Sequence, residues 1–304
     1  MKLAFRTPAK INLGLQVFRK REDGYHELET LLQMVSLYDD MELESRPQGI
    51  ELECDVAEIP RDGSNLAIKA ARLLQKTYPD RRDLGARIRL TKRIPAGGGL
   101  GGGSGNAAGA LLGLNVLWDL GLDREKLLSL AAQLGSDVPF FLFAASALGR
   151  GRGERLYPLQ PAKKFNVVLV NPRFPIATSW VYGSLKLELT KRENNISILR
   201  QFYSKSDVAR LGAHLHNDLE PVVLQGYPVI QVIKDRLRSL GAKGSLLSGS
   251  GSTVFGVFDD PGVAENACSQ LSKQGNWDLF FTETIDNLAE FFPEEMLNYP
   301  QFGA

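Results

Sequence analysis

The chain has 304 residues, roughly two domains' worth of sequence and ample length to bury a core. Hydrophobic residues make up 43% and charged residues 23%, which excludes a disordered, collagen-like or low-complexity chain. Lys and Arg number 36 against 35 Asp and Glu, so no global field gathers nucleic acid or anionic lipid, and neither a nucleic-acid nor a membrane partner is expected.

The N-terminus, MKLAFRTPAKINLGLQVF, lacks the apolar core and cleavage site of a signal peptide, so the mature chain is expected to begin there. Residues 2–18 alternate enough for a strand or hairpin, and Leu28 to Val35 and Met41 to Glu44 read as further strands. Cys54 has no CxxC partner and lies far from the other cysteine, Cys268; a reducing, cytoplasmic setting is expected. Ser64 and Asn65 offer caps for a helix running to about Tyr78, with Leu66, Ala70, Leu73 and Leu74 on one face. Gly85 to Ile94 turns Ala86, Ile88 and Leu90 inward and Arg87, Arg89 and Thr91 outward, a half-buried strand.

A glycine loop comes next, followed by a helix to about Leu120. A second helix is capped by Asp123, carries Leu127, Leu128, Ala131 and Leu134 on its face, and stops at Gly135. Two prolines and a basic pair between Tyr157 and Lys164 divide the chain into expected domains 1–160 and 161–304. The second half reads as a strand Phe165 to Val170, helices near 206–212 and 228–240, a strand Ser252 to Phe258, a helix after Pro261 and a strand near Phe280. His214 and His216 form an H-x-H pair with no cysteine or third histidine nearby, so no protein metal site is expected. After about residue 287 the chain continues as a tail whose Phe291, Phe292, Met296 and Tyr299 either pack on the body or meet a partner.

The most informative stretch is Ile94 to Trp118, which contains no ionisable residue. Its nine glycines expose backbone and contribute little apolar surface, so it reads as an anion-binding loop entering a helix rather than a membrane span. Consecutive glycines let the backbone approach a phosphate, and the following helix N-terminus supplies amides and a favourable dipole. No lysine occurs from Ile94 through Glu125, which excludes a Walker A loop. Seven glycines between 97 and 105 satisfy a dinucleotide fingerprint by density alone, and the strand before them does not open a βαβ unit.

PAGGGLGGGSGNAA at 95–108 resembles the second signature of the GHMP small-molecule kinases, LLSGSGSTVFGVF at 246–258 their third, and PAKINLGL at 8–15 their first. The resemblance implies a two-domain α+β fold, with an N-terminal domain of the ribosomal protein S5 domain 2-like type and a ferredoxin-like C-terminal domain. DGYH at 23–26, LGSDVPFFL at 134–142, GRGERL at 151–156 and NDLEP at 217–221 are similar to the branch of that superfamily whose acceptor is 4-diphosphocytidyl-2-C-methyl-D-erythritol. It implies ATP and magnesium, with the nucleotide phosphates on Pro95, Ala96, Gly97, Gly98, Gly99, Leu100, Gly101, Gly102, Gly103, Ser104 and Gly105.

It further implies that Asp137 acts as the base on the acceptor alcohol and Lys10 as the cation that polarises it. From its own surroundings, between Gly135 and Pro139, Asp137 also reads as a cap for a short helix to Phe143. The Asp23-Gly24 turn projects Tyr25 and His26 together, a combination suited to a nucleobase, and the resemblance assigns them to cytosine with Tyr182 as a second aromatic plane. Asn12 and Thr178 resemble polar contacts to the methylerythritol or diphosphate part. Where the family loop ends Gly-Ser-Ser this chain has Gly103-Ser104-Gly105, which removes a hydroxyl and implies magnesium carried on ATP mostly by water. A homoserine- or mevalonate-type kinase would share the loop without using Tyr25 and His26. A non-catalytic sensor on the same fold would be expected to lack Lys10 or Asp137.

Overall fold

A computed structural model describes residues 1–298 apart from 82, 161 and 186–194; Tyr299 lies outside the described residues. In chain order the strands are β1 (Lys2–Lys20), β2 (His26–Arg46), β3 (Ile50–Cys54), β4 (Gly85–Thr91), β5 (Ser146–Gly151) and β6 (Arg155–Pro158). They continue as β7 (Asn166–Asn171), β8 (His216–Asn217), β9 (Gly244–Leu247), β10 (Val254–Phe258) and β11 (Asp278–Glu283). One sheet runs β3-β4-β2-β1-β8, with β5 attached along β2 and β6 paired to β5, and a second, antiparallel sheet runs β11-β7-β10-β9. The fold is the two-domain mixed α and β arrangement that the motifs imply.

β1 and β2 are the axis of the molecule. From Thr7 to Val17 both faces of β1 are buried, so period-two alternation disappears. One flank is covered by the helix Gly102–Leu117, and Ile11, Leu13, Leu31 and Val35 join Val167, Leu169, Phe255 and Val257 of the second sheet in one apolar cluster. The helix comes close because it is built of small residues: a Cβ at Gly109 would stand 2.7 Å from Thr7 Cγ2, and one at Gly113 2.5 Å from Leu43 Cδ1. That close approach, not membrane insertion, accounts for the uncharged stretch, and among the described residues no helix is long and apolar enough to cross a membrane.

The sequence suggests two strands where β2 runs unbroken for 21 residues. The apparent interruption is Asp39, fully buried, which accepts from the backbone amides of Arg93 and Ile94 at 2.8 and 2.9 Å and from Asn106 Nδ2 at 3.0 Å, and pairs with Lys92. A buried carboxylate with four donors is at home in a strand interior. Because Asn106 is in the first turns of the helix and Ile94 precedes the glycine loop, this network pins both ends of the loop to β2.

Local signals elsewhere act as expected, with two shifts. Asn65, rather than Ser64, caps the helix Leu66–Thr77 by accepting from Ala67 N, while the Ser64 hydroxyl is taken by Asp62. Asp123 caps Arg124–Leu134 by accepting from Lys126 N, but Leu127, Leu130 and Ala131 form the buried stripe, with Leu128 and Leu134 at its margin. The tail packs on the body: Phe291, Phe292 and Met296 are buried in the core under the first sheet, with the Phe292 ring edge-on to Phe5 at 5.8 Å.

Candidate active site

The phosphate loop is held open by its own backbone. Gly97, Gly99 and Gly101 all have positive φ, at 67°, 78° and 70°. At Gly99 the requirement is also spatial, since a Cβ would lie 2.1 Å from the Ser248 carbonyl oxygen. The loop docks on the turn between β9 and β10, where Thr253 N donates to Gly98 O at 3.1 Å and Ser248 Oγ to Gly99 O at 3.0 Å, and on β1, where Lys10 N donates to Leu100 O at 2.9 Å. Gly101 is the N-cap of the helix Gly102–Leu117 and provides no side-chain capping bond, so the first-turn amides are left for an anion.

A cleft of about 790 Å³ opens between this loop and the second layer. Of the eleven predicted loop residues, Gly97, Gly99, Gly101 and Ser104 line it. Gly98, Leu100, Gly102 and Gly105 are buried, and Pro95, Ala96 and Gly103 lie outside the lining. Gly105 stands where a Cβ would meet Pro8 O at 3.1 Å and the Phe141 ring at 3.4 Å, so β1 and Phe141 crowd any larger residue there.

Lys10, Asn12, Tyr25, His26, Asp137, Thr178 and Tyr182 all line the same cleft. Lys10, 4% exposed, places Nζ 3.5 Å from Asp137 Oδ2 and 2.7 Å from Asn12 Oδ1. Asp137 does not cap the short helix Phe140–Phe143: the N-cap there is Pro139, and no side chain makes the capping bond. The capping expectation is therefore corrected, because the carboxylate turns to Lys10 across the cleft. Asn12 Nδ2 donates to Thr30 Oγ1 at 2.8 Å, so both ends of its amide are engaged by protein. Thr178 Oγ1 is 2.8 Å from Ser250 Oγ on the β9–β10 turn, which brings second-layer hydroxyls to the cleft.

At the other end the His26 and Tyr182 rings meet at 5.1 Å with a 31° tilt, while Tyr25, 53% exposed, is covered by the Arg152 guanidinium 4.7 Å from its ring centre. Burial lowers the His26 pKa, with the Lys20 charge adding to the effect. Burial raises that of the Tyr182 hydroxyl, and the Asp137 charge adds to it. Tyr182 also packs against the apolar cluster of Val168, Val170 and Val181, so the ring is anchored there while it lines the cleft. His214 and His216 turn elsewhere, to Arg210 O at 2.8 Å and Asp218 Oδ1 at 2.6 Å.

Sequence reading left out Thr30, Lys20, Arg152 and Ser250, which line the same cleft. Arg152 and Ser250 belong to GRGERL and SGSGST, motifs the sequence flags without singling out those residues. Thr30 carries no local signal at all, being one more residue of a β-rich run.

A glycine loop at a helix N-terminus facing a lysine–aspartate pair across an interlayer cleft defines a small-molecule kinase that uses ATP. The GHMP kinases N terminal domain matches residues 65–145 and the GHMP kinases C terminal domain residues 198–276. The chain is 45% identical to the 4-diphosphocytidyl-2-C-methyl-D-erythritol kinase of Syntrophus aciditrophicus over 93% of its length and 100% of that protein's. It is 42% identical to the enzyme of the same name from Geobacter sp. strain M21, over 93% and 99%. A crystal structure of 4-(cytidine 5'-diphospho)-2C-methyl-D-erythritol kinase superposes with TM-score 0.78 at 35% identity, covering 94% of this chain and 100% of that one. Homoserine kinase from Cytophaga hutchinsonii, at 18% identity and TM-score 0.73 over 94% and 95% of the two chains, shares the fold. The chain belongs to the 4-diphosphocytidyl-2-C-methyl-D-erythritol kinase family of the GHMP kinases.

Proposed function

We propose that the chain transfers the γ-phosphoryl group of ATP to the 2-hydroxyl of 4-diphosphocytidyl-2-C-methyl-D-erythritol, a step of non-mevalonate isoprenoid precursor biosynthesis. The observation that carries this reading is the single cleft in which the Lys10–Asp137 pair stands between the glycine loop and the His26–Tyr182 end. The loop amides and the first turn of Gly102–Leu117 hold the ATP phosphates. Asp137 orients the acceptor alcohol and takes its proton as the oxygen attacks the γ-phosphorus and ADP departs. Lys10 offsets the negative charge that spreads over the transferring group, so catalysis rests on positioning and electrostatics.

Among the described residues no three His, Cys, Asp or Glu gather as a metal cage, and the hydroxyl that the phosphate loop itself brings to the cleft is that of Ser104. That hydroxyl fits a magnesium ion brought in on ATP and largely hydrated, with Ser104 as the residue that would touch it. When bound, the ion neutralises charge on the β- and γ-phosphates. Tyr25, His26 and Tyr182 receive the cytosine, and Thr178 with Asn12 faces the polar remainder of the acceptor.

The test is coupled ADP release with magnesium and ATP, comparing the cytidyl acceptor, homoserine, mevalonate and no acceptor. Release dependent on the cytidyl acceptor is expected. Activity on another alcohol alone would overturn the assignment of Tyr25 and His26, and silence on all would favour a sensor.

The depressed His26 pKa gives a second expectation. A neutral imidazole both donates and accepts, as a base edge requires, whereas the protonated ring only donates. With the folded value below the ordinary value of about 6.5, His26 is neutral at pH 7. Its contribution to stability is then fully present above about pH 6.5 and is lost as pH falls through the depressed value. Calorimetric binding of cytidine should hold from about pH 8 through 6.5 and weaken as pH falls through the depressed value. An affinity that does not change across the NMR-observed titration of the His26 ring would remove His26 from base recognition.

A further inference from the structure

We propose that Thr30 is a positioning residue that fixes Lys10 through Asn12, an inference that rests on reading Lys10 as the phosphoryl-transfer lysine. Three side chains at most 4% exposed form one chain of hydrogen bonds: Lys10 Nζ to Asn12 Oδ1 at 2.7 Å, Asn12 Nδ2 to Thr30 Oγ1 at 2.8 Å, and Thr30 Oγ1 to the Gly14 carbonyl at 2.7 Å. The far end sets the direction of every link. A backbone carbonyl can only accept, so the single hydroxyl proton of Thr30 is committed to Gly14. Thr30 therefore presents a lone pair to Asn12, and only the NH₂ end of the amide can answer it. The amide oxygen is then the end that faces Lys10, where an ammonium needs an acceptor.

Without the hydroxyl the amide loses the partner that fixes its NH₂ end. A flipped Asn12 would turn an NH₂ group toward the ammonium, and Lys10 would lose the contact that places it 3.5 Å from Asp137. The backbone is arranged for this. The β1–β2 register shifts between Asn12 and Gly14, a bulge that brings the Gly14 carbonyl within reach of Thr30, itself paired with Leu15. The Thr30 methyl points the other way, toward β5, where a Cβ on Gly149 would lie 3.2 Å from it. The two branches of the side chain thus have separate jobs, and valine keeps the shape while removing only the hydroxyl.

The test is steady-state kinetics of the full chain with magnesium, ATP and the cytidyl acceptor for Thr30→Val, Thr30→Ser, Asn12→Ala, the Thr30→Val/Asn12→Ala double variant and Lys10→Ala. Thr30→Val should lose about 10- to 100-fold in kcat, as expected for a displaced catalytic group, with both KM values within about threefold of wild type. Thr30→Ser should restore most of the rate. In the Asn12→Ala background Thr30→Val should cost nothing further, because the link it acts through is gone. Full kcat in Thr30→Val, equal loss in the serine variant, a defect confined to the acceptor KM, or additive losses in the double variant would each overturn the proposal. If Thr30→Val does not fold, Thr30→Ala carries the same comparison. An active Lys10→Ala enzyme would remove the underlying reading as well, whereas inactive Lys10→Ala and Asn12→Ala beside an intact Thr30→Val would sink the Thr30 role alone.

Discussion

Asp137→Asn should lower kcat by about 10²- to 10⁴-fold, the range for a positioned general base, with little change in thermal unfolding. Amide and carboxylate have nearly the same shape, but the amide cannot take the acceptor's proton. Stability is spared because the side chain is 40% exposed and, among the described residues, leaves the helix Phe140–Phe143 uncapped and pairs with Lys10 at 3.5 Å. The KM for ATP should stay near wild type, since the phosphate loop does not depend on this carboxylate. Turnover at the wild-type rate would remove Asp137 from the chemistry.

Gly99→Ala should be the most damaging single methyl in the cleft. Its Cβ would fall 2.1 Å from the Ser248 carbonyl and 3.0 Å from that of Gly251, at a φ of 78° that L side chains avoid. Both obstacles are backbone atoms, so relief requires the loop to leave its dock and to give up the bond from Ser248 Oγ to Gly99 O. About 1–3 kcal/mol of lost stability is expected from the backbone strain. A rise of tenfold or more in the KM for ATP should accompany it, measured beside chemical denaturation. A variant with unchanged KM and midpoint would mean the loop is not docked as described.

The contrast between these two positions shows what the sequence could carry. The glycine density of 97–105 announces a phosphate loop because backbone approach is a property of residue type. Which glycines face the cleft depends on Ser248 and Thr253, some 150 residues away, and no local pattern encodes that. Lys10 and Asp137 were legible only through resemblance. Within its own stretch Asp137 reads as a cap, and its meeting with Lys10 comes from packing β1 against the turn after Arg124–Leu134. β2 was split at Asp39 for a related reason: a charged residue signals a break unless its buried donors, Lys92, Arg93, Ile94 and Asn106, are already known. The aromatic end was partly legible. Tyr25 and His26 are projected by one turn, yet the ring that His26 meets is Tyr182, from the other layer, and Tyr25 lies under Arg152.

The burial of Phe291 and Phe292 against Phe5 also concerns time. These partners leave the ribosome about 286 residues apart, which at ~5–20 residues per second is roughly a quarter of a minute to a minute. β2 waits nearly as long, since Gln33 Nε2 donates to Ile285 O at 2.7 Å and Val35 bridges to Thr284. The strand pair carrying Lys10, Asn12 and Thr30 is therefore among the first parts synthesised and among the last to be enclosed. A growing chain stopped short of residue 284 holds every residue assigned to the chemistry but lacks the Thr284–Ile285 contacts to β2 and the tail that packs on Phe5.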